Sequence, residues 1–185
     1  MCIRDSVSAS LTFLKLNSNS IGSEGATAIG DALRVNASLT SLWLFNNDIG
    51  DESATAIADA LRVNVSLTSL DLSHNELEAE AAKALAPALA ANASLTKILV
   101  SGNQLGDEGT TILCDALRES TASKVEEFDL CGNKIGPDGA KAIAALCAVR
   151  GSLTSLDVTY NHLGEEGRAM VNDAVKGRED FTLKL

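Results

Sequence analysis

Asp129 and Asp157 stand at matching positions of two neighbouring, closely similar segments, and they are the residues best placed to do chemistry in this sequence. On adjacent strands about 5 Å apart, two carboxylates repel each other and one pKa rises, leaving an acid beside a base. Such a pair could relay protons or hold a cation, although a solvated acidic face is the plainer expectation. His74 and His162 fall in different slots three segments apart, too far to share a metal. Cys2, Cys114, Cys131 and Cys147 lack C-x-x-C spacing and read as reduced thiols. The stretch GNKIGPDGAK, Gly132 to Lys141, has the glycines of a phosphate loop without the GK[ST] that would hold phosphate and magnesium. No base recurs near a nucleophile. The expectation is a non-enzyme with no catalytic residues, no metal and no cofactor.

Asparagine is the other recurrent polar residue. Asn19, Asn47, Asn75, Asn103, Asn133 and Asn161 occupy one slot of all the segments. A primary amide both donates and accepts, so this row can satisfy backbone groups where each strand turns away from its neighbours. Asn36-Ala-Ser38, Asn64-Val-Ser66 and Asn92-Ala-Ser94 match the glycosylation pattern, but each Asn also sits where a helix should end. Helix closure is the simpler role.

Positioning these residues is the work of a repeat. Aligned on L-x-x-L-x-L-x-x-N-x-L/I, segments start at Leu11, Leu39, Leu67, Leu95, Val125 and Leu153, at steps of 28, 28, 28, 30 and 28 residues. Near-equal periods of this length denote a solenoid. The first half of each unit, as in LTSLDLSHN (Leu67 to Asn75), alternates apolar and polar residues like a short strand. The second half, as in GSEGATAIGDALRVN (Gly22 to Asn36), changes to helical spacing. There Ala26, Ile29 and Leu33 share one face, while Glu24, Thr27, Asp31 and Arg34 share the other. Acids open each helix at Glu24, Glu52, Glu80, Glu108, Asp138 and Glu166, where the helix dipole favours them. Asp31 with Arg34, Asp59 with Arg62 and Asp115 with Arg118 are spaced for ion pairs within a helix.

Strand then helix, repeated, gives a parallel sheet backed by parallel helices. Strands stack about 4.8 Å apart and helices about 8–10 Å, so the array must bend with its strands on the concave side. The alanines Ala26, Ala28 and Ala32, with their equivalents, let the helices approach. The fold class is therefore an α/β solenoid, a right-handed horseshoe arc. Its domain is a single array over 11–185 of six repeats, closing in a terminal strand over 181–185. Residues 1–10 read as a truncated or non-native end, since Asp5 stands where Leu33 and Leu61 stand in later units. Pro87 removes a mid-helix hydrogen bond and should kink or tighten the third helix.

The period, the L-x-x-L-x-L-x-x-N-x-I-G-x-E-G-A-x-A-I-A-x-A-L pattern and the Asn row resemble the ribonuclease-inhibitor class of leucine-rich repeat. Similar arrays occur in Ran GTPase-activating proteins and in the sensor ends of NOD-like receptors. The resemblance covers Leu11 to Leu185. It implies a protein-interaction scaffold, with a GTPase-activating module or the sensor end of a larger receptor as alternatives.

The partner must be read from the concave slots. They hold Phe13, Lys15 and Asn17; Ser41, Trp43 and Phe45; Ser69, Asp71 and Ser73; and Lys97, Leu99 and Ser101. Glu127, Asp129 and Cys131, then Ser155, Asp157 and Thr159, complete them. The expected docking residues are Phe13, Lys15, Trp43, Phe45, Asp71, Lys97, Leu99, Glu127, Asp129, Asp157 and Tyr160, aromatic at one end and acidic at the other. Lys and Arg number 15 against 25 Asp and Glu, for a net charge of −10. That charge repels nucleic acid and anionic membranes and favours a basic or mixed-charge protein as partner. No run of 18 apolar residues is long enough to span a membrane, and no secretory signal opens the chain. A cytoplasmic monomer is expected.

Overall fold

The computed structural model describes residues 11–185; the expectation for residues 1–10 lies outside the described residues. Among the described residues, seven strands alternate with six helices in strict order. The strands are β1 (Phe13–Lys15), β2 (Ser41–Trp43), β3 (Ser69–Asp71), β4 (Lys97–Leu99), β5 (Glu127–Asp129), β6 (Ser155–Asp157) and β7 (Thr182–Lys184). The helices are α1 (Gly22–Val35), α2 (Asp51–Leu61), α3 (Ala79–Ala91), α4 (Gly106–Glu119), α5 (Pro137–Val149) and α6 (Gly164–Ala174). The strands form one sheet in chain order, every neighbouring pair parallel.

Alternation decides which way each strand residue points. The central residues Leu14, Leu42, Leu70, Ile98, Phe128, Leu156 and Leu183 lie in one register line. In the interior units they are buried, together with Leu44, Leu72, Val100, Leu130 and Val158 two residues further on. Helix residues such as Ile57, Leu61, Leu85 and Ile143 meet them from the other side, so the core is one apolar layer between sheet and helices. Each unit supplies half of its neighbour's core. Unit one shows this from the side no described unit covers: Ala32 is exposed, whereas its equivalents Ala60 and Ala88 are fully buried. Helices approach closely enough that a Cβ on Gly30 would lie 2.7 Å from the Ala56 carbonyl oxygen.

Two rows of polar side chains stitch the units. In the first, Asn75 Oδ1 accepts the Asn47 and Ile49 amides at 3.0 and 3.1 Å, while its Nδ2 donates to the Leu44 and Leu72 carbonyls. Asn47, Asn103, Asn133 and Asn161 act in the same way between their own neighbours. A second row runs along the helix ends. Asn64 Nδ2 donates to the Leu33 and Asn36 carbonyls of the preceding unit, and its Oδ1 accepts the Ser66 and Leu67 amides. Asn92 repeats the arrangement. Further along, Ser120 donates to the Ala90 carbonyl, Arg150 to the Ser120 and Ser123 carbonyls, and Arg178 to the Cys147, Gly151 and Leu153 carbonyls. The helix-closing asparagines are therefore inter-unit ties as much as local caps.

One local detail differs from the sequence reading. Arg34 reaches across to Asp59 of α2 at 3.3 Å instead of pairing with Asp31 in its own helix. The pairs Asp59–Arg62 and Asp115–Arg118 do form within their helices. Helix α3 runs through Pro87 to Ala91 with the proline on its exposed side, where the Lys83 carbonyl loses its donor. Among the described residues, no helix is long and apolar enough to cross a membrane.

Candidate functional site

With the apolar alternates turned inward, the outward residues of seven parallel strands make one continuous face. Its N-terminal end is aromatic. Trp43 stands beside Phe13 on the neighbouring strand, ring centroids 5.1 Å apart in an edge-to-face arrangement. The Lys15 ammonium lies over the indole, 5.3 Å from its centroid. Phe45, just past the end of β2, packs on the His74 imidazole at 4.8 Å. Leu42 and Leu44 are fully buried, so the intervening Trp43 is forced outward, where it and Phe45 are half-buried and Phe13 is 46% exposed. Asp71, beside Trp43 on β3, is buried, and its Oδ1 accepts the Ser73 amide at 2.9 Å.

The opposite end is charged, and most of its charges are paired. Lys97 meets Glu127 at 2.6 Å across β4 and β5, and Lys184 of β7 meets Asp157 at 3.0 Å. These side chains, with Leu99, Asp129 and Ser155, line an open hollow of about 140 Å³. Asp129 holds the Cys131 amide at 2.9 Å and Asp157 holds the Thr159 amide and hydroxyl at 3.0 and 2.6 Å. Burial raises the Asp129 pKa above the usual aspartate value and the Asp157 charge adds to the rise, against the bond from Cys131. For Asp157 burial also pushes upward, but the Thr159 bonds and the Lys184 ammonium outweigh it, and its pKa is lowered. The two aspartates are thus driven apart, chiefly by burial at Asp129 and by the Thr159 and Lys184 partners of Asp157.

Asp129, Cys131 and Asp157 bring one ligand atom each within 4.8 Å of one another, the one such group among the described residues. The Lys184 ammonium already balances Asp157 and feels the charge of Asp129. A divalent ion would have to displace it. Cys114 and Cys147 are buried in α4 and α5, where desolvation pushes both thiols up, Cys147 to about 11. His74 and His162 take no part in any metal-binding group among the described residues.

The structure brings Phe13, Lys15, Trp43 and Phe45 together at one end of the face, and Lys97, Leu99, Glu127, Asp129 and Asp157 at the other. Tyr160 belongs to neither group. It is 85% exposed, in the turn after β6, at φ 56°. Ser18, Asn46, His74, Gly102 and Gly132 hold the same turn slot, all at positive φ. His74 was weighed only as a metal ligand, although its place one residue past the Phe45 slot of the next unit was the available signal. Lys184 escaped the sequence reading of the face.

A Leucine Rich repeat family model matches the chain six times, at residues 7–30, 35–58, 63–86, 91–111, 121–144 and 152–171. No curated protein matches it. Among solved structures, it is similar to leiomodin-1 actin-binding site 2 at 22% identity and a TM-score of 0.56, over 89% of this chain and 78% of that one. The C-terminal domain of tropomodulin from Caenorhabditis elegans is 16% identical at a TM-score of 0.53, over 91% and 84%. An internalin from Listeria monocytogenes is 18% identical at 0.51, over 95% of this chain and 46% of that one.

Proposed function

The chain belongs to the leucine-rich-repeat family, and from that premise we propose that it is a non-catalytic interaction module, docking a protein of mixed charge on its concave face in the cytoplasm. One observation carries this reading. Phe13, Trp43 and Phe45 stand half-exposed on adjacent strands, in slots where the other units place no ring and, Leu99 and Cys131 aside, polar or charged residues. The repeat does not need rings there, and clustered exposed rings are a mark of interfaces. Such folds are typically binding modules, and the leiomodin-1 structure is by its title an actin-binding site. At 22% identity that likeness carries the fold and no partner. The balanced lysines and acids of the concave face support a mixed-charge partner better than a purely basic one.

The test is retention of proteins by the immobilised chain, with concave and convex substitutions compared. Trp43→Ala and Phe45→Ala should lose what the parent retains, while Thr55→Arg on the exposed side of α2 should keep it. Partners held equally by the concave variants and lost by Thr55→Arg would overturn the proposal. The GTPase-activating alternative rests on resemblance alone, and its assay is GTP turnover by small GTPases with and without the chain.

A further inference from the structure

We infer that the aromatic end of the concave face is a socket for one kind of segment: an apolar side chain with a carboxylate beside it, the carboxylate directed toward β1. This rests on the concave-face reading above and names the chemistry of its partner. Lys15 is the observation that points there. The other two lysines of the face are committed, Lys97 to Glu127 at 2.6 Å and Lys184 to Asp157 at 3.0 Å. Among the described residues, Lys15 has no ion-pair partner and is exposed. Its ammonium is held over the indole of Trp43, 5.3 Å from the ring centre, and so stands at the border of the apolar patch. A cation already placed beside an apolar surface costs an incoming anion little further ordering.

The neighbouring charges set direction. Asp71 flanks Trp43 on the side away from Lys15, buried and turned onto the Ser73 amide. A carboxylate approaching from the β3 side meets a like charge; from the β1 side it meets Lys15. Phe13 and Phe45 then bracket the place for the apolar group, with His74 packed behind Phe45. The overall charge of −10 slows the approach of an acidic segment without reversing the local preference beside Lys15.

The probe is a random peptide library displayed on phage, selected on the intact chain; enriched peptides are then synthesised and titrated against the fluorescence of Trp43, the single tryptophan, and by calorimetry where Trp43 is replaced. The expected winners carry Asp or Glu adjacent to a large apolar residue. Changing that acid to its amide, or Lys15→Glu in the protein, should weaken binding about tenfold, the loss of one contact of roughly 1.4 kcal/mol. The peptide with its acid changed to lysine should recover affinity for the Lys15→Glu protein. Lys15 is exposed, so that substitution leaves the fold unstrained, and Trp43→Phe keeps a ring where Trp43→Ala would open the patch. Winners that are basic and lost with Asp129→Asn would overturn the inference while leaving the concave-face reading intact. Winners indifferent to Lys15, Trp43 and Asp129 alike would sink both. Enrichment of nothing above background would also overturn the socket.

Discussion

Replacing Asn64 with alanine tests whether the helix-end amides tie the units together. The side chain is 4% exposed and makes four hydrogen bonds to the backbone: two given to the Leu33 and Asn36 carbonyls at 2.8 Å, two accepted from the Ser66 and Leu67 amides at 3.1 and 2.8 Å. Each net bond is worth about 1 kcal/mol, so the four amount to about 4 kcal/mol. Water reaching the half-buried Ser66 amide returns part of it, leaving an expected loss of about 3 kcal/mol. Against a total of roughly 5–15 kcal/mol for a domain, that is a large shift of the urea midpoint. Asn64→Ser should lose less, since Ser120 in the fourth unit already donates to one carbonyl and accepts two amides through a hydroxyl. Asn64→Asp should be as harmful as alanine at neutral pH, because it turns a charge onto two carbonyl oxygens. The carboxyl introduced there has a raised folded-state pKa, so stability is lost as pH rises through it and regained on acidification. Hydrogen exchange should place the loosening at the junction of the first three units. An alanine variant within about 0.5 kcal/mol of the parent, or a serine variant no better than alanine, would refute the reasoning. So would a glycan on Asn64, whose amide nitrogen is already committed.

Three further outcomes follow from the same geometry. Asp129→Asn should stabilise the fold at neutral pH and Asp157→Asn should weaken it, read from melting temperatures between acid and neutral pH. The raised Asp129 pKa removes stability as pH rises through it, whereas the lowered Asp157 pKa adds stability that disappears as pH falls through it. Pro87→Ala should raise stability by about 1–3 kcal/mol in a urea titration, since α3 already runs through that position and regains a donor for the Lys83 carbonyl. Alkylation of the native chain, mapped by mass spectrometry, should modify Cys131 well before Cys114 and Cys147, whose buried thiols resist ionisation.

Strand positions and inward residues were legible because period-2 and period-3.6 patterns repeat in register, each unit repeating its neighbour's evidence. Leu42, Leu44, Leu70 and Leu72 are buried where alternation places them. Cross-unit interactions were less accessible. Asn64 looked like a local cap because a single unit does not reveal that its amide reaches back to Leu33. Arg34 lies three residues from Asp31, yet it selects Asp59, which packing of α1 on α2 brings within 3.3 Å. Spacing along a chain ranks only the partners on the same helix.

The charge pattern of the concave face shows where counting fails. Lys97 and Glu127 share a slot only because the fourth unit is two residues longer than the others. At the far end the opposite holds: a strict 28-residue step from Asp157 arrives at Leu185, but the register pairs Asp157 with Lys184. The last connection is one residue short, Leu183 turns inward to line up with Leu156, and Lys184 is delivered to the aspartate. Inward packing decides that register, since a one-residue slip would expose Leu183 and bury Lys184. A charge expected at the docking surface, Asp157, is therefore largely an internal pair. Among the described residues, the lysine of this face without a charged partner is Lys15, beside the rings, in a slot where repetition demands no lysine.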